Sequence, residues 1–188
     1  MKKTGVAHLT VLAFFLSLLL TGCVFTPRME HAIREYDLKT ANTVYEQDFF
    51  QIQIFHNNTP SRTRMLFRNA NNQIIQDDCN VWVQLPEQML QRYFSLMFPA
   101  ATPSQKSAPA NLRCALNIFE FDLASSEAIL EFSYVLHDAR GKHPGRVLIR
   151  EKFTSTQPDD LVRAMNQAAE RAGAELWQQI SKFKPSNK

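Results

Sequence analysis

The chain has 188 residues, 45% of them hydrophobic, with 21 Lys or Arg against 18 Asp or Glu and a formal net charge of +3. This length fits one ordinary globular domain, and the composition excludes a disordered chain. The near balance of charge offers no basic block for phosphates, so no nucleic-acid partner is expected. Only three glycines lie beyond residue 22, and they are too scattered for a glycine-rich phosphate-binding loop.

Residues 1–22 have the pattern of a signal peptide. Lys2 and Lys3 precede an apolar run from Leu9 to Leu20, which is shorter than the ~20 residues that a membrane-spanning helix needs. The run ends in Leu20-Thr21-Gly22-Cys23, which resembles the bacterial lipobox. That motif implies that Cys23 receives a diacylglyceryl group, becomes the first mature residue and is acylated, for example with palmitate. The alternative is an ordinary signal peptide that ends near a cysteine.

Lipidation of Cys23 would hold the protein at a membrane surface, because two or three acyl chains anchor stably at ~0.8 kcal/mol per buried methylene. Cleavage removes two lysines and no acidic residue, so the mature chain is nearly neutral. By analogy with the sorting rule of enteric bacteria, Val24 in place of an aspartate favours delivery to the outer membrane. We therefore expect a lipid-anchored protein on the periplasmic face of the outer membrane.

Cys79 and Cys114 remain once Cys23 is lipidated, and an even number suits an oxidising compartment. A disulfide between them would stabilise the fold by ~3 to 4 kcal/mol if their α-carbons lay within ~7 Å. The alternative, two buried thiols acting as small apolar residues, is favoured because the chain has no dense cysteine framework. No CxxC or HxxxH spacing is present, so no metal site and no cofactor is predicted.

The mature chain begins with a mixed polar stretch, residues 23–48, which shows no sustained period and is predicted to be a tether. Residues 49–56 then alternate as FFQIQIFH. This alternation predicts a half-buried strand with Phe50, Ile52 and Ile54 on one face.

Two segments have the spacing of helices. Residues 85–98 start with a proline in the first turn and carry an apolar stripe of Met89, Leu90, Tyr93, Phe94 and Met97. A second helix starts at Gln157-Pro158-Asp159-Asp160, where two carboxylates lie beside the positive end of the helix dipole. The remaining predicted strands span 64–68, 73–76, 112–123, 127–137 and 146–155, with an exposed loop at 99–111 and a turn at 137–146.

These elements follow the order βββαβββα. They predict a single α+β domain over residues 49–184, with an antiparallel or mixed sheet and both helices on one face.

Several short motifs occur in a characteristic order along this domain. They are the run RMLFRNANNQIIQDD, Trp82 followed closely by LPEQML, a strand pair ending in HDARG, and an alanine-rich terminal helix. Together with the lipobox and an early Tyr-x-Leu at Tyr36 and Leu38, they resemble the ABC-type transport auxiliary lipoprotein family from Tyr36 to Lys182. The chain has Asn80-Val81-Trp82 where that family usually has an Arg-Trp-Ala step.

The resemblance implies an accessory component of an intermembrane lipid transport system whose partners carry mammalian-cell-entry (MCE) domains and an ABC transporter. The lipoprotein would supply docking rather than chemistry. Tyr36, Leu38 and Trp82 are the candidate interaction residues, although Trp82 suits the core equally well. One small domain cannot surround a conduit, so a homo-oligomeric ring is also expected.

Two other functions remain open at this point. One is another assembly lipoprotein, such as the partner of the lipopolysaccharide translocon. The other is a periplasmic hydrolase, but the chain has no GxSxG or HExxH motif, and its histidines lie in no nucleophile motif. No catalytic residue is predicted, and the protein is not expected to be an enzyme.

Overall fold

The computed structural model describes residues 32–60, 62–99 and 109–185. The signal peptide, Cys23 and most of the predicted 99–111 loop lie outside these residues. In chain order the elements are β1 (Arg34–Tyr36), β2 (Phe50–Asn57), β3 (Arg64–Arg68), β4 (Ile74–Trp82), α1 (Pro86–Met97), β5 (Ala110–Asp122), β6 (Glu127–Asp138), β7 (Gly141–Lys152) and α2 (Pro158–Ile180), followed by a 3-10 turn (Ser181–Phe183).

The seven strands of the described residues form one mixed sheet, in which six follow the order β1-β4-β3-β5-β6-β7 and β2 pairs with β5 outside this path. The long strand β5 pairs with β2 along its first half and with β3 at its end, both in parallel. The pairs β3/β4, β5/β6 and β6/β7 are antiparallel. The predicted α+β class is therefore confirmed, and the sheet is of the mixed type.

Both helices pack on the same face of the sheet. Phe132 on β6 contacts Phe94 of α1 at a ring distance of 5.6 Å. Two residues further along β6, on the same face, the hydroxyl of Tyr134 donates to Oε1 of Gln179 on α2 at 2.7 Å. One continuous apolar core fills the space between this face and the helices.

The start and the packing of each helix follow from its sequence. Pro86 and Pro158 occupy the first turns, where a missing N–H costs no hydrogen bond. The helices approach each other closely at Gly173, where an added Cβ would lie 2.0 Å from the sulfur of Met97. A larger side chain at this position would therefore displace the end of the Met97 side chain.

The bounds of β3 and both helix starts agree with the predicted elements, but several features differ. The strand predicted at 73–76 is longer, since β4 continues to Trp82. The three-residue strand β1 was not predicted, and it adds a strand to the predicted order. The predicted turn at 137–146 is shorter, because β6 continues to Asp138 and β7 starts at Gly141, whose φ of 136° suits glycine. Gly145 lies inside β7 and gives room to the ring of Tyr134 rather than forming a turn.

The face assigned to Ile54 is wrong. A β-bulge between Ile52 and Ile54 shifts the register against β5, so Ile54 points to the open face and is 39% exposed. Phe55 takes the inward position at 3% exposure and contacts Phe132. The alternation in the sequence could not show this, because the bulge depends on the pairing with β5.

The outer edge of the sheet at β7 is covered by side chains of α2. Gln179 donates from Nε2 to the carbonyl of Arg146, and Arg171 donates to the carbonyl of Arg150. These carbonyls face away from β6, so the helix satisfies groups that would otherwise be open to another strand.

Candidate functional site

Residues 37–49, here called the strap, cross the helices between β1 and β2. They belong to the segment that the sequence analysis assigned to the tether, yet Leu38 and Gln47 are buried at 5% and 3% exposure. The domain therefore begins before the predicted boundary at residue 49. The strap directly follows β1, the strand by which the chain enters the sheet from the side of the predicted lipid anchor. The way the strap is held therefore determines how this N-terminal part of the domain is joined to the helices.

One carboxylate on α2 holds the middle of the strap. Oε2 of Glu170 accepts the N–H of Asn42 at 3.0 Å and the hydroxyl of Tyr93 at 2.6 Å, and Oε1 accepts the N–H of Thr43 at 3.0 Å. Hydrogen bonds to an ionised group are stronger than neutral ones. Glu170 therefore joins the strap, α1 and α2 at a single point.

Other contacts fasten the two ends of the strap. Near its start, Asp37 forms an ion pair with Arg92 of α1. Near its end, Oε1 of Gln47 accepts the N–H of Phe50 at 3.0 Å, while its Nε2 donates to the carbonyl of Phe50 at 2.9 Å. The ring of Tyr45 stacks on Trp177 at a centroid distance of 5.0 Å.

A polar cleft of about 440 Å³ lies between the strap, α1, α2 and the end of β7. Its cations include Lys39, Arg163 and Arg171, and the last two pair with Asp160 and Glu151 respectively. Two of the three cations of the cleft are therefore paired, and its walls include Tyr93, Asn166 and Glu170, which hold the strap.

Two titratable groups of this cleft, Tyr93 and Glu170, have pKa values shifted away from neutral pH. Burial, and then the hydrogen bond to Glu170, raise the pKa of Tyr93. For Glu170, burial opposes ionisation, but the hydrogen bonds from Thr43, Tyr93 and Asn42 outweigh it and lower the pKa. A general acid or base works best with a pKa near the operating pH, so this pair suits fastening better than proton transfer.

The opposite face of the sheet carries a shallow groove of about 570 Å³ along β2, where the bulge displaces the strand. Its polar lining is Gln51, Gln53, His56 and Arg113. No group of three or more potential metal ligands occurs among the residues that the structure describes. Within the same ranges, no helix is both long and apolar enough to cross a membrane.

The structure places Tyr36 beside Trp82 and buries Leu38 in the core. Tyr36 pairs with Trp82 across β1 and β4, and its carbonyl accepts the N–H of Val83 at 2.9 Å. Trp82 is 2% exposed and packs edge-on against Phe119 at 5.2 Å. Leu38 is buried as well, so Trp82 and Leu38 join the first strand to the core rather than forming an exposed surface, and Tyr36 is half-buried beside them.

The two cysteines are not bonded to each other. Cys79 lies on β4 and Cys114 on β5, and β3 separates these strands in the sheet. Two strand spacings are about 9.6 Å, which exceeds the separation that a disulfide spans. Cys114 is 2% exposed, and burial raises the pKa of its thiol, so it acts as a small apolar core residue.

Sequence reasoning did not find Glu170 or Gln47. Glu170 lies on the polar side of α2, 127 residues from Thr43, with nothing in its neighbourhood to distinguish it from other helix carboxylates. Tyr93 was placed in the apolar stripe of α1, which is where it lies, but its hydroxyl partner could not be inferred. These contacts depend on the path of the strap, which the local sequence does not encode.

Comparisons with known proteins give one family and one fold. A family described as "ABC-type transport auxiliary lipoprotein component" matches residues 58–176. No curated protein sequence matches the chain.

Two solved structures share the fold. The crystal structure of an uncharacterised protein is 12% identical with a TM-score of 0.66, covering 79% of this chain and 99% of its own. Protein XCC0632 from Xanthomonas campestris, assigned to the family DUF330, is 16% identical with a TM-score of 0.63, covering 82% of this chain and 100% of its own.

Proposed function

This chain belongs to the family of ABC-type transport auxiliary lipoprotein components, and we propose that it docks an MCE-type intermembrane lipid transport complex to the outer membrane. In this role the acyl groups on Cys23 anchor the chain to the periplasmic face. The folded domain contacts the periplasmic MCE protein and carries out no chemistry of its own. The observation that carries the proposal is the family match over most of the folded domain, residues 58–176.

The way the strap is held supports a docking role. The chain that arrives from the predicted anchor passes through β1 and is then tied to both helices by Glu170 and Asp37, while Gln47 bonds the backbone at the start of β2. A domain held in this way transmits a pull on the anchor to the sheet and both helices. A loosely attached tether would not transmit such a pull to the folded domain.

The cleft chemistry supports the absence of catalysis. Glu170 and Tyr93 bond to each other, and the pKa values of both groups lie further from neutral pH than usual. Their hydrogen-bonding capacity is used to hold the strap, so they would need to release it before acting on a substrate.

The proposal includes assembly of several copies into a ring, since one domain is too small to enclose a lipid conduit. Native mass spectrometry of the detergent-solubilised lipoprotein would give a single oligomeric mass above that of the monomer. A purely monomeric protein at high concentration would remove this part of the proposal.

The anchor is tested by intact mass and by membrane fractionation on a density gradient. Wild type is expected to carry acyl mass and to sediment with the outer membrane, whereas Cys23→Ala loses both. Cys79→Ala is the matched control, because it removes a half-buried thiol on β4 and leaves the anchor intact. Unmodified Cys23 and a chain that is free in the periplasm would overturn the anchored function.

The partner is tested by crosslinking mass spectrometry on cells that express the wild-type lipoprotein. We expect crosslinks to an MCE protein of an ABC transport system. Crosslinks confined to an outer-membrane barrel protein would instead favour a translocon role.

A further inference from the structure

The turn between β6 and β7 and the turn after α2 form one cationic surface, here called the basic tip. The two turns contact each other. The ring of His143 stacks on Phe183 at a centroid distance of 4.2 Å, and Arg140 donates to the carbonyl of Phe183. The basic tip consists of Arg140, Lys142, His143, Lys182, Phe183 and Lys184.

The carboxylate of Asp138 bonds to several groups of this surface. Its Oδ1 accepts the backbone N–H groups of Arg140 and Gly141 and lies 2.9 Å from Nε2 of His143. Its Oδ2 accepts Nε of Arg140 at 2.8 Å. The guanidinium and the imidazole are thus fixed before any partner arrives, which lowers the entropy that binding costs.

The basic tip concentrates positive charge on a nearly neutral chain. It contains four Lys or Arg side chains, and Asp138 forms an ion pair with one of them, Arg140. Among the residues that the structure describes, Lys142, Lys182 and Lys184 form no ion pair, and Lys182 lies over the ring of Phe183 at 5.2 Å. All three lysines are therefore available to an external carboxylate.

The basic tip lies far from the strand by which the chain arrives from the anchor. β1 and β7 are the two ends of the strand order, five strand spacings or about 24 Å apart. Along the strands, the tip is level with the start of β5, because His137 pairs with Asn111. β1 instead pairs with β4, whose neighbour β3 reaches the end of β5.

We propose that the basic tip is the surface on which an acidic segment of a protein of the transport system docks. The inference rests on the proposed function and deepens it by naming the surface and the charge of the partner. The three lysines of the basic tip that form no ion pair among the described residues match the carboxylates of an acidic protein segment. Its ordered arginine and aromatic ring are residue types that dominate protein interfaces.

The test uses the full lipidated chain with three charge reversals, Lys142→Glu, Lys182→Glu and Lys184→Glu, expressed in cells with the transport system. The matched control reverses Arg34, Lys39 and Arg62, three exposed cations away from the tip, so that both variants carry the same net charge. We expect the tip variant to recover at least about tenfold less of the transport partner, and the control to recover as much as wild type.

A carbodiimide crosslinker, which joins a lysine directly to a carboxylate, identifies the contact. We expect links from Lys142, Lys182 or Lys184 to Asp or Glu residues of an ABC transport component, and these links should fade as salt is raised. Equal recovery by the tip variant and wild type would overturn the inference while leaving the proposed function intact. Failure of wild type to recover any transport component would instead overturn the proposed function.

Binding to the membrane is measured in parallel with vesicles of phosphatidylcholine alone or with added phosphatidylglycerol. The lipidated chain inserts into both, so the readout is protection of the backbone amides of residues 139–143 from hydrogen exchange. Protection that requires phosphatidylglycerol, together with unchanged recovery of the partner, would overturn the inference in favour of a lipid surface.

Discussion

The strap (residues 37–49) and the C-terminal turn (Ser181–Phe183) both close the fold beside α2, but different interactions hold them. Glu170 binds the strap through backbone N–H groups, and Leu38 adds a buried apolar side chain. The turn is held through side chains, since Asp138 orders Arg140 and His143, which in turn contact the half-buried Phe183.

This difference indicates what each region is suited to do. Bonds to the strap backbone do not depend on its side-chain charges, and removing the packing of the buried Leu38 or the partners of the buried Gln47 costs much free energy. The contacts of the turn lie at the surface, where water and salt weaken them and where cations remain accessible. The strap thus fastens the chain, whereas the turn presents a surface.

The largest expected effect comes from the apolar contact of the strap. Leu38→Ala should lower the free energy of unfolding by about 2 to 4 kcal/mol, because Leu38 is buried in the core. Urea unfolding measures this loss. Val44→Ala, at a strap position that is 56% exposed, should change the stability by less than about 0.5 kcal/mol. Equal losses for both variants would mean that the strap is not held by Leu38.

Removing the strap carboxylate should have the next largest effect. Glu170→Ala leaves the hydroxyl of Tyr93 and two strap N–H groups without their acceptor, which should cost about 1 to 3 kcal/mol. Hydrogen exchange should accelerate at the amides of Asn42 and Thr43. Glu175→Ala, also on α2, removes a carboxylate that accepts from Gln179, and it should leave these two amides protected.

The C-terminal turn should respond more weakly. Phe183→Ala should cost about 1 kcal/mol, because the ring is only half-buried and stacks mainly on His143. Faster hydrogen exchange should be confined to the turn and the β6–β7 hairpin, with the strap unaffected. Loss of protection in the strap would show that the two regions are coupled, contrary to this comparison.

The smallest expected effect is a pH dependence. Burial opposes ionisation of Asp138, but the hydrogen bonds from His143 and Arg140 outweigh it and lower its pKa to about 2. A carboxyl with a lowered folded-state pKa stabilises the fold above its unfolded-state pKa of about 3.9, and that stabilisation is lost as the pH falls through the folded-state pKa. Wild type should thus lose stability between about pH 4 and pH 2 relative to Asp138→Asn.

Urea midpoints measured across this pH range would show the difference between wild type and Asp138→Asn. The control Asp159→Asn, at an exposed carboxylate near the start of α2, should follow the wild-type curve. A constant difference between wild type and Asp138→Asn at every pH would mean that ionisation of Asp138 does not stabilise the turn.

Elements with a clear local period could be predicted. The stripe beginning at Met89 and the proline at Pro86 identified α1 to within one residue at each end, because a helix buries one face at a fixed spacing. β1 has only three residues, which is too short for any period to show. Its strand character comes from pairing with β4, so it could not be predicted from its own residues.

The candidate sites divide in the same way. The Tyr-x-Leu motif pointed to Tyr36 and Leu38. Leu38 is buried in the core, and Tyr36 packs against the core and pairs with Trp82. Their role as packing residues, rather than as an exposed surface, could be decided only once β1 was placed beside β4. Glu170 and Asp138 could not be predicted as fastening groups, since each acts on side chains or amides that the fold brings to it.

The sequence by itself determined the single α+β domain, both helices, the resemblance to the transport lipoproteins and the predicted anchor at Cys23. These follow from composition, period and motif, which are properties of neighbouring residues. The tertiary structure decided the inversion of Ile54 and Phe55, the attachment of the strap by Glu170 and the joining of two separate turns into the basic tip. Each of these depends on contacts between residues far apart in the chain, which form only when the sheet and helices are packed together.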